Sequence, residues 1–258
     1  MKLGVCTSFA NVEIAANAGF EYIECALSSL AAMPEEEYQA LLEKSASFPI
    51  PVLKCNGFLP ATVPVSGPGH DTEQLKAYLE KALFRAHALG IKTAVFGSGG
   101  ARKVPEGWTH FRAWQQIADF LRLANEYAEK YDINIAIEPL RRKECNILNL
   151  VSEGMAMSAL VDQPRIGVLG DTFHMLSCHE PWSNLTDAGD RLWHIHISHT
   201  LPDLSGRIYP KNGDGEDYET VIRTLKEMDY QGDVSVEAGT QDFAADAIAA
   251  VECLRKYF

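Results

Sequence analysis

The chain has 258 residues, 47% of them hydrophobic, which suits one large core or two small ones. Lys and Arg number 23 against 35 Asp and Glu, a net charge of −12 that disfavours nucleic-acid partners, since phosphate backbones are held by basic surfaces. No apolar run approaches the roughly 20 residues of a membrane span.

The opening, MKLGVCTSF, is strand-like rather than a secretory leader. Six cysteines lie far apart with no CxxC pair. The expectation is a cytoplasmic protein with reduced thiols and no membrane partner. The first strand is Lys2–Cys6. A helix follows over Asn11–Ala18, with Gly19 as its C-cap. Tyr22–Cys25 is the second strand. Pro34 opens the next helix, and EEEYQALLEKSA puts acids in its first turn, where the helix dipole favours them. Pro51–Cys55 is the third strand. The Pro- and Gly-rich stretch from Asn56 to His70 is long for a compact domain and suggests a functional loop or a flap. Asp71 or Thr72 caps a helix that Gly90 stops. Lys92–Phe96 is the fourth strand, followed by GSGGARKVPEG. A long helix covers Thr109–Lys130.

Ile133–Ile137 is the fifth strand, and its continuous apolar character fits a parallel sheet covered on both faces. A helix at Ser152–Leu160 precedes the sixth strand, Ile166–Leu169. Trp193–Ile197 is the seventh strand and Val234–Val236 the eighth. Helices at Tyr218–Met228 and Asp242–Lys256 complete the count. Eight strands alternating with helices over this length predict an α/β fold, a (β/α)8 TIM barrel forming one domain over 1–258. An open doubly wound sheet usually carries a Gly-rich turn after its first strand, whereas CTSFANVE has no glycine. GSGG lacks the Lys-Ser/Thr of a phosphate loop.

Active sites of such barrels lie at the C-terminal strand ends. The fifth strand ends at Glu138, the sixth at Asp171 and the eighth at Glu237. In WHIHIS, alternation puts His194 and His196 on the inward face, with His196 nearer the mouth. Three carboxylates held together repel one another, and a bound dication would relieve that repulsion. Three oxygen donors and one imidazole point to Mn²⁺, with Mg²⁺, Co²⁺ or Zn²⁺ as other candidates. Taken singly, each acid could instead cap a helix or pair with an arginine.

IAIEPLRRKECN, GVLGDTFHM, HIHIS and GDVSVEA, in that order on successive strands, resemble the xylose isomerase-like sugar phosphate isomerases and epimerases, especially the D-tagatose/D-psicose 3-epimerase branch. The N-terminal half is similar only in rhythm. The resemblance implies that Glu138, Asp171, His196 and Glu237 bind the metal. It also implies that Glu138 and Glu237 are the catalytic acid/base pair. By the same resemblance Glu144 and His174 would contact substrate. So would Arg207, displaced by a longer loop after HIHIS.

Lys54 and Asn56, ending the third strand, could touch substrate hydroxyls, and Trp108 could wall the pocket. His194 would fill the core or support His196, while His179 and His199 are expected in solvent. Arg141, Arg142 and Lys143 read as a solvated run that could grip a phosphate. The expected activity is epimerisation or isomerisation of a keto-sugar or polyol, by proton transfer next to a metal-polarised carbonyl through an enediolate. Alternatives on the same site are an inosose dehydratase-like lyase and a hydroxypyruvate isomerase-like enzyme. A non-catalytic sugar-binding barrel and an apurinic-site endonuclease fit less well. Such a barrel could assemble as a homodimer or homotetramer.

Overall fold

A computed structural model describes all residues, 1–258. Ten strands form: β1 (Leu3–Cys6), β2 (Tyr22–Ala26), β3 (Val52–Asn56), β4 (Thr93–Phe96), β5 (Asn134–Ile137), β6 (Ile166–Asp171), β7 (Leu192–Ile197), β8 (His199–Thr200), β9 (Arg207–Ile208) and β10 (Asp233–Val236). Eight of them close a parallel barrel in the order β1-β10-β7-β6-β5-β4-β3-β2, with β1 pairing β2 to complete the ring. This is the (β/α)8 barrel that the β/α alternation predicts, because each parallel pair needs a helical return across the outside.

The outer helices start where the sequence provides caps. Asp71 accepts from the backbone N–H groups of Glu73 and Gln74 at the head of the helix Thr72–Ala88. Thr109 accepts from Arg112 ahead of His110–Lys130, and Asp242 from Ala245 ahead of Phe243–Leu254. Gly19 closes the first helix with a φ of 104°, in the left-handed region where a side chain would be strained. No helix is long and apolar enough to cross a membrane.

Most of the apolar core lies between sheet and helices, and the barrel interior is divided. On one side Val95, Ala136 and Leu169 form a small apolar layer. On the other, buried Tyr22, Glu24, Lys54, His194 and Ser235 make it polar. Tyr22 Oη and Ser235 Oγ are 2.8 Å apart. Gly4 leaves the room that the Tyr22 ring fills.

Several elements depart from the sequence expectation. The long 56–70 stretch is not a loose flap: Phe58, Leu59, Val63 and Val65 are buried in the core. Pro34 is the N-cap rather than the first helical residue of Glu35–Ser45. The short helices Leu27–Ala32, Gly99–Arg102, Thr172–Ser177 and Ser183–Ala188 follow strands or fill loops, too short to show a helical period. The segment after β7 folds back as a hairpin, with Thr200 opposite Arg207 and His199 opposite Ile208.

Candidate active site

The four strand-end residues meet. Ligand atoms of Glu138, Asp171, His196 and Glu237 all lie within 4.8 Å of one another. They come from β5, β6, β7 and β10, four neighbours in the barrel, with the two glutamates on the outer members of the row. His196 Nδ1 is 3.2 Å from Glu138 Oε1, 2.8 Å from Glu237 Oε2 and 3.7 Å from Asp171 Oδ2.

Asp171 does two jobs. Its Oδ1 accepts from the backbone N–H of Phe173 and His174, capping the helix Thr172–Ser177. Its Oδ2 faces the cluster. Capping a helix and facing the cluster, alternatives in the sequence, therefore coexist on separate oxygens.

Each glutamate has its own support. Asn56 Nδ2 donates to Glu237 Oε1 at 3.0 Å. Buried Arg102 donates to the backbone carbonyls of Phe96 and Glu138, at 2.8 and 2.6 Å, fixing the ends of β4 and β5. A methyl group on Gly97 would fall on Glu138 Oε2, so this glycine leaves room for a carboxylate. GSGG thus serves the fifth strand end.

Arg207, carried back by the hairpin, sits among the acids. Its Nη1 is 2.5 Å from Asp171 Oδ2 and its Nη2 is 2.8 Å from Glu237 Oε2. The longer loop does not remove it from the site, because the β8–β9 pairing returns it.

The carboxyls differ in their hold on a proton. Burial, and after it the charge of Glu237, push Glu138 up. Burial pushes Glu237 the same way, but His196 and Arg207 outweigh it and hold that carboxyl below its ordinary value. Burial also opposes ionisation of Asp171, yet Arg207 and His174 hold it well below the usual range. Burial disfavours the charged His196 ring, but Glu237 and Glu24 overcome this and hold it well above. The pocket is negative enough to retain positive charge.

The donors suit a divalent cation. Glu237 Oε2 is buried and lacks a hydrogen bond of good geometry, although two nitrogens lie 2.8 Å away. Three carboxylates and one imidazole nitrogen are a hard, oxygen-rich set, as Mn²⁺, Mg²⁺ or Co²⁺ prefers.

The other predicted residues divide. His174 is buried, with Nε2 4.0 Å from Asp171 Oδ2 and Nδ1 accepting from the Arg141 backbone N–H. Glu144 lies at the rim and pairs with Arg141 at 2.6 Å rather than with the cluster. Arg141 also donates to the Leu204 carbonyl, and Arg142 donates to Asn149. Two nitrogens of Arg141 and one of Arg142 are thus used within the protein. Trp108 is half-buried against the core, with Arg112 over its ring.

Lys54 is not at the mouth. It precedes Asn56 by two residues on the same inward face, so it sits one layer deeper. There its Nζ is 3.2 Å from Asp233 Oδ2, at the start of β10. His199 is only 12% exposed at its side chain, packed beside Asp214 and Glu216, and is not a solvated loop residue.

Glu24 escaped the sequence reading. It is 1% exposed on β2, with Oε2 2.7 Å from His194 Nε2 and Oε1 3.0 Å from His196 Nε2. The available signal was an acid inside the apolar run YIECA, at an inward position.

Against known proteins, the family model of the xylose isomerase-like TIM barrel matches residues 12–257. An L-ribulose 3-epimerase of Methylomonas sp. (strain DH-1) is 31% identical over 139 residues, 54% of this chain and 46% of that protein. A probable ketose 3-epimerase of Synechocystis sp. is 28% identical over 168 residues, 63% of this chain and 55% of that one. The chain thus spans about half the length of the curated relatives it matches. A solved D-allulose 3-epimerase from Methylomonas sp. has a TM-score of 0.86 at 23% identity, covering 100% of this chain and 98% of that one. The IOLI protein, solved with a zinc atom, has a TM-score of 0.77 at 21% identity, covering 100% and 99%. At these identities the structural likeness shows the fold. With the family model spanning nearly all of its length, the chain belongs to the xylose isomerase-like TIM-barrel family.

Proposed function

We propose that the protein is a divalent-metal-dependent epimerase of a keto-sugar or related polyol, working by proton transfer at a carbon next to the carbonyl. The observation that carries the reading is the pair of buried glutamates, Glu138 and Glu237, flanking Asp171 and His196 at the barrel mouth. Sugar 3-epimerases among the relatives support the substrate class.

Glu138, Asp171, His196 and Glu237 would hold the cation, with Mn²⁺ favoured by the donor set. Bound there, a dication would act as a Lewis acid that polarises the substrate carbonyl and steadies the enediolate charge.

The residues supply the proton steps. Glu237, kept ionised beside His196 and Arg207, takes the proton from one face of the carbon. Glu138, whose carboxyl is pushed up by burial and by the charge of Glu237, returns a proton from the other face. The centre inverts, and the roles exchange in the reverse direction. Asn56 aims Glu237, and Arg207 balances the negative charge of Asp171 and Glu237. His174, with Nδ1 occupied by the Arg141 N–H, has Nε2 for a substrate oxygen. Glu144, Arg207, Asn56 and Trp108 complete the proposed substrate contacts.

The test is Glu138→Gln and Glu237→Gln, which keep shape and remove proton transfer. Each should lower kcat about 10²–10⁴-fold with an unchanged melting temperature. Full turnover in either variant would end the acid/base assignment.

A further inference from the structure

We propose that Glu24 is a positioning residue that fixes the proton of His196 on Nε2 and so turns the Nδ1 lone pair toward Glu138, Asp171 and Glu237. The inference rests on the cation site proposed above. It concerns how that site is made ready rather than which reaction it runs.

An imidazole has two nitrogens, and the bond made by one decides which of them is free for a cation. Here the division is geometric. Nδ1 faces the three carboxylates. Nε2 faces away from them, with Glu24 Oε1 at 3.0 Å. The other neighbour of Nε2, Cys6 Sγ at 3.9 Å, is only a weak hydrogen-bonding partner. Glu24 is therefore the group that keeps the proton on Nε2 when a cation takes the place of the proton on Nδ1.

Glu24 is itself held. Its Oε2 is 2.7 Å from His194 Nε2, and His194 Nδ1 donates to the Asp233 carbonyl at 2.9 Å. Asp233 is tied by Lys54 at 3.2 Å and by the Lys2 backbone N–H at 2.9 Å. The two imidazole rings stand at 84° with centroids 5.0 Å apart. A connected chain thus runs inside the barrel from the start of β10 to the mouth. Burying a carboxylate is costly unless polar partners compensate, and both oxygens of Glu24 lie within hydrogen-bond distance of a histidine nitrogen.

The experiment compares wild type, Glu24→Gln and Glu24→Met. Glutamine can keep both contacts, its oxygen accepting from His196 Nε2–H and its amide donating to the Nε2 lone pair of a neutral His194 that carries its proton on Nδ1. Methionine has similar length and keeps neither. Zn²⁺ affinity is measured by chelator competition, and the His196 tautomer by long-range ¹H–¹⁵N NMR on Zn²⁺-loaded protein. Wild type and Glu24→Gln should carry the proton on Nε2, with Nδ1 shifted by the cation. Glu24→Met should bind Zn²⁺ about 10–100-fold more weakly with unchanged circular dichroism. Wild-type affinity in Glu24→Met, or a wild-type His196 protonated at Nδ1, would overturn the proposal. A wild-type His196 protonated at Nδ1 overturns it even if Glu24→Met does not fold. A wild-type protein that binds no Zn²⁺ would sink the proposed cation site and this inference with it. Absence of sugar turnover alone would leave both readouts standing and count only against the proposed reaction.

Discussion

At the scale of single residues, position along a strand decides chemistry. Asn56 and Lys54 share an inward face, yet Asn56 reaches Glu237 while Lys54 reaches Asp233 at the opposite end of the barrel. Two residues of strand are about 6–7 Å of depth, enough to separate a proposed substrate contact from a structural pair. Lys54→Met should therefore cost about 1–3 kcal/mol of stability and leave KM for any ketose unchanged. Denaturant unfolding beside steady-state kinetics would check this, and a raised KM would return Lys54 to the substrate site. Glu138, Asp171, His196 and Glu237 were legible because strand ends carry function in barrels and because alternation sorts inward from outward. Glu24 was not, since its partners His194 and His196 lie 170 and 172 residues away and only closure of the barrel brings them together.

At the scale of elements, the loops after β4 and β7 shape the candidate site. Gly97, directly after β4, leaves space for the Glu138 carboxylate, and Arg102 in the next helical turn holds the Glu138 carbonyl. Gly97→Ala should leave the fold intact, because the atom it strikes is the mobile end of a side chain. It should lower kcat by about 10²-fold, since a 1 Å misplacement of a reacting group costs that much. Activity within twofold of wild type would show that Glu138 does not depend on that space. The hairpin after β7 was invisible to pattern reading. Its strands are two residues each, and HTLPDLSGR reads as loop. That is why Arg207 looked displaced in the sequence although it stands against Asp171 and Glu237. The 56–70 segment misled in the opposite sense: its Pro and Gly content suggests a flap, but its apolar residues anchor it.

At the scale of the whole molecule, the barrel sets the environment of the thiols as well as the acids. Burial pushes Cys25 up to about 12 and Cys55 well above its ordinary value. A raised thiol pKa keeps the group protonated and unreactive below it. In native protein at pH 8, iodoacetamide should reach only the partly exposed Cys6 and Cys178, and slowly, because burial raises both of these thiols as well, whereas unfolded protein should label all six. Mass spectrometry of labelled peptides reads this directly, and native labelling of Cys25 or Cys55 would contradict the closed barrel.

The central claim joins the barrel, the four-residue cluster and the glutamate pair into one reaction. Its most direct test is proton NMR of a ketohexose incubated in D₂O with Mg²⁺-loaded protein, beside a chelator-treated control. The account predicts deuterium uptake at the carbon next to the carbonyl, appearance of the epimer, and loss of both on chelation with recovery on adding Mn²⁺ or Mg²⁺. Undiminished exchange after complete metal removal, or loss of water in place of epimerisation, would contradict it.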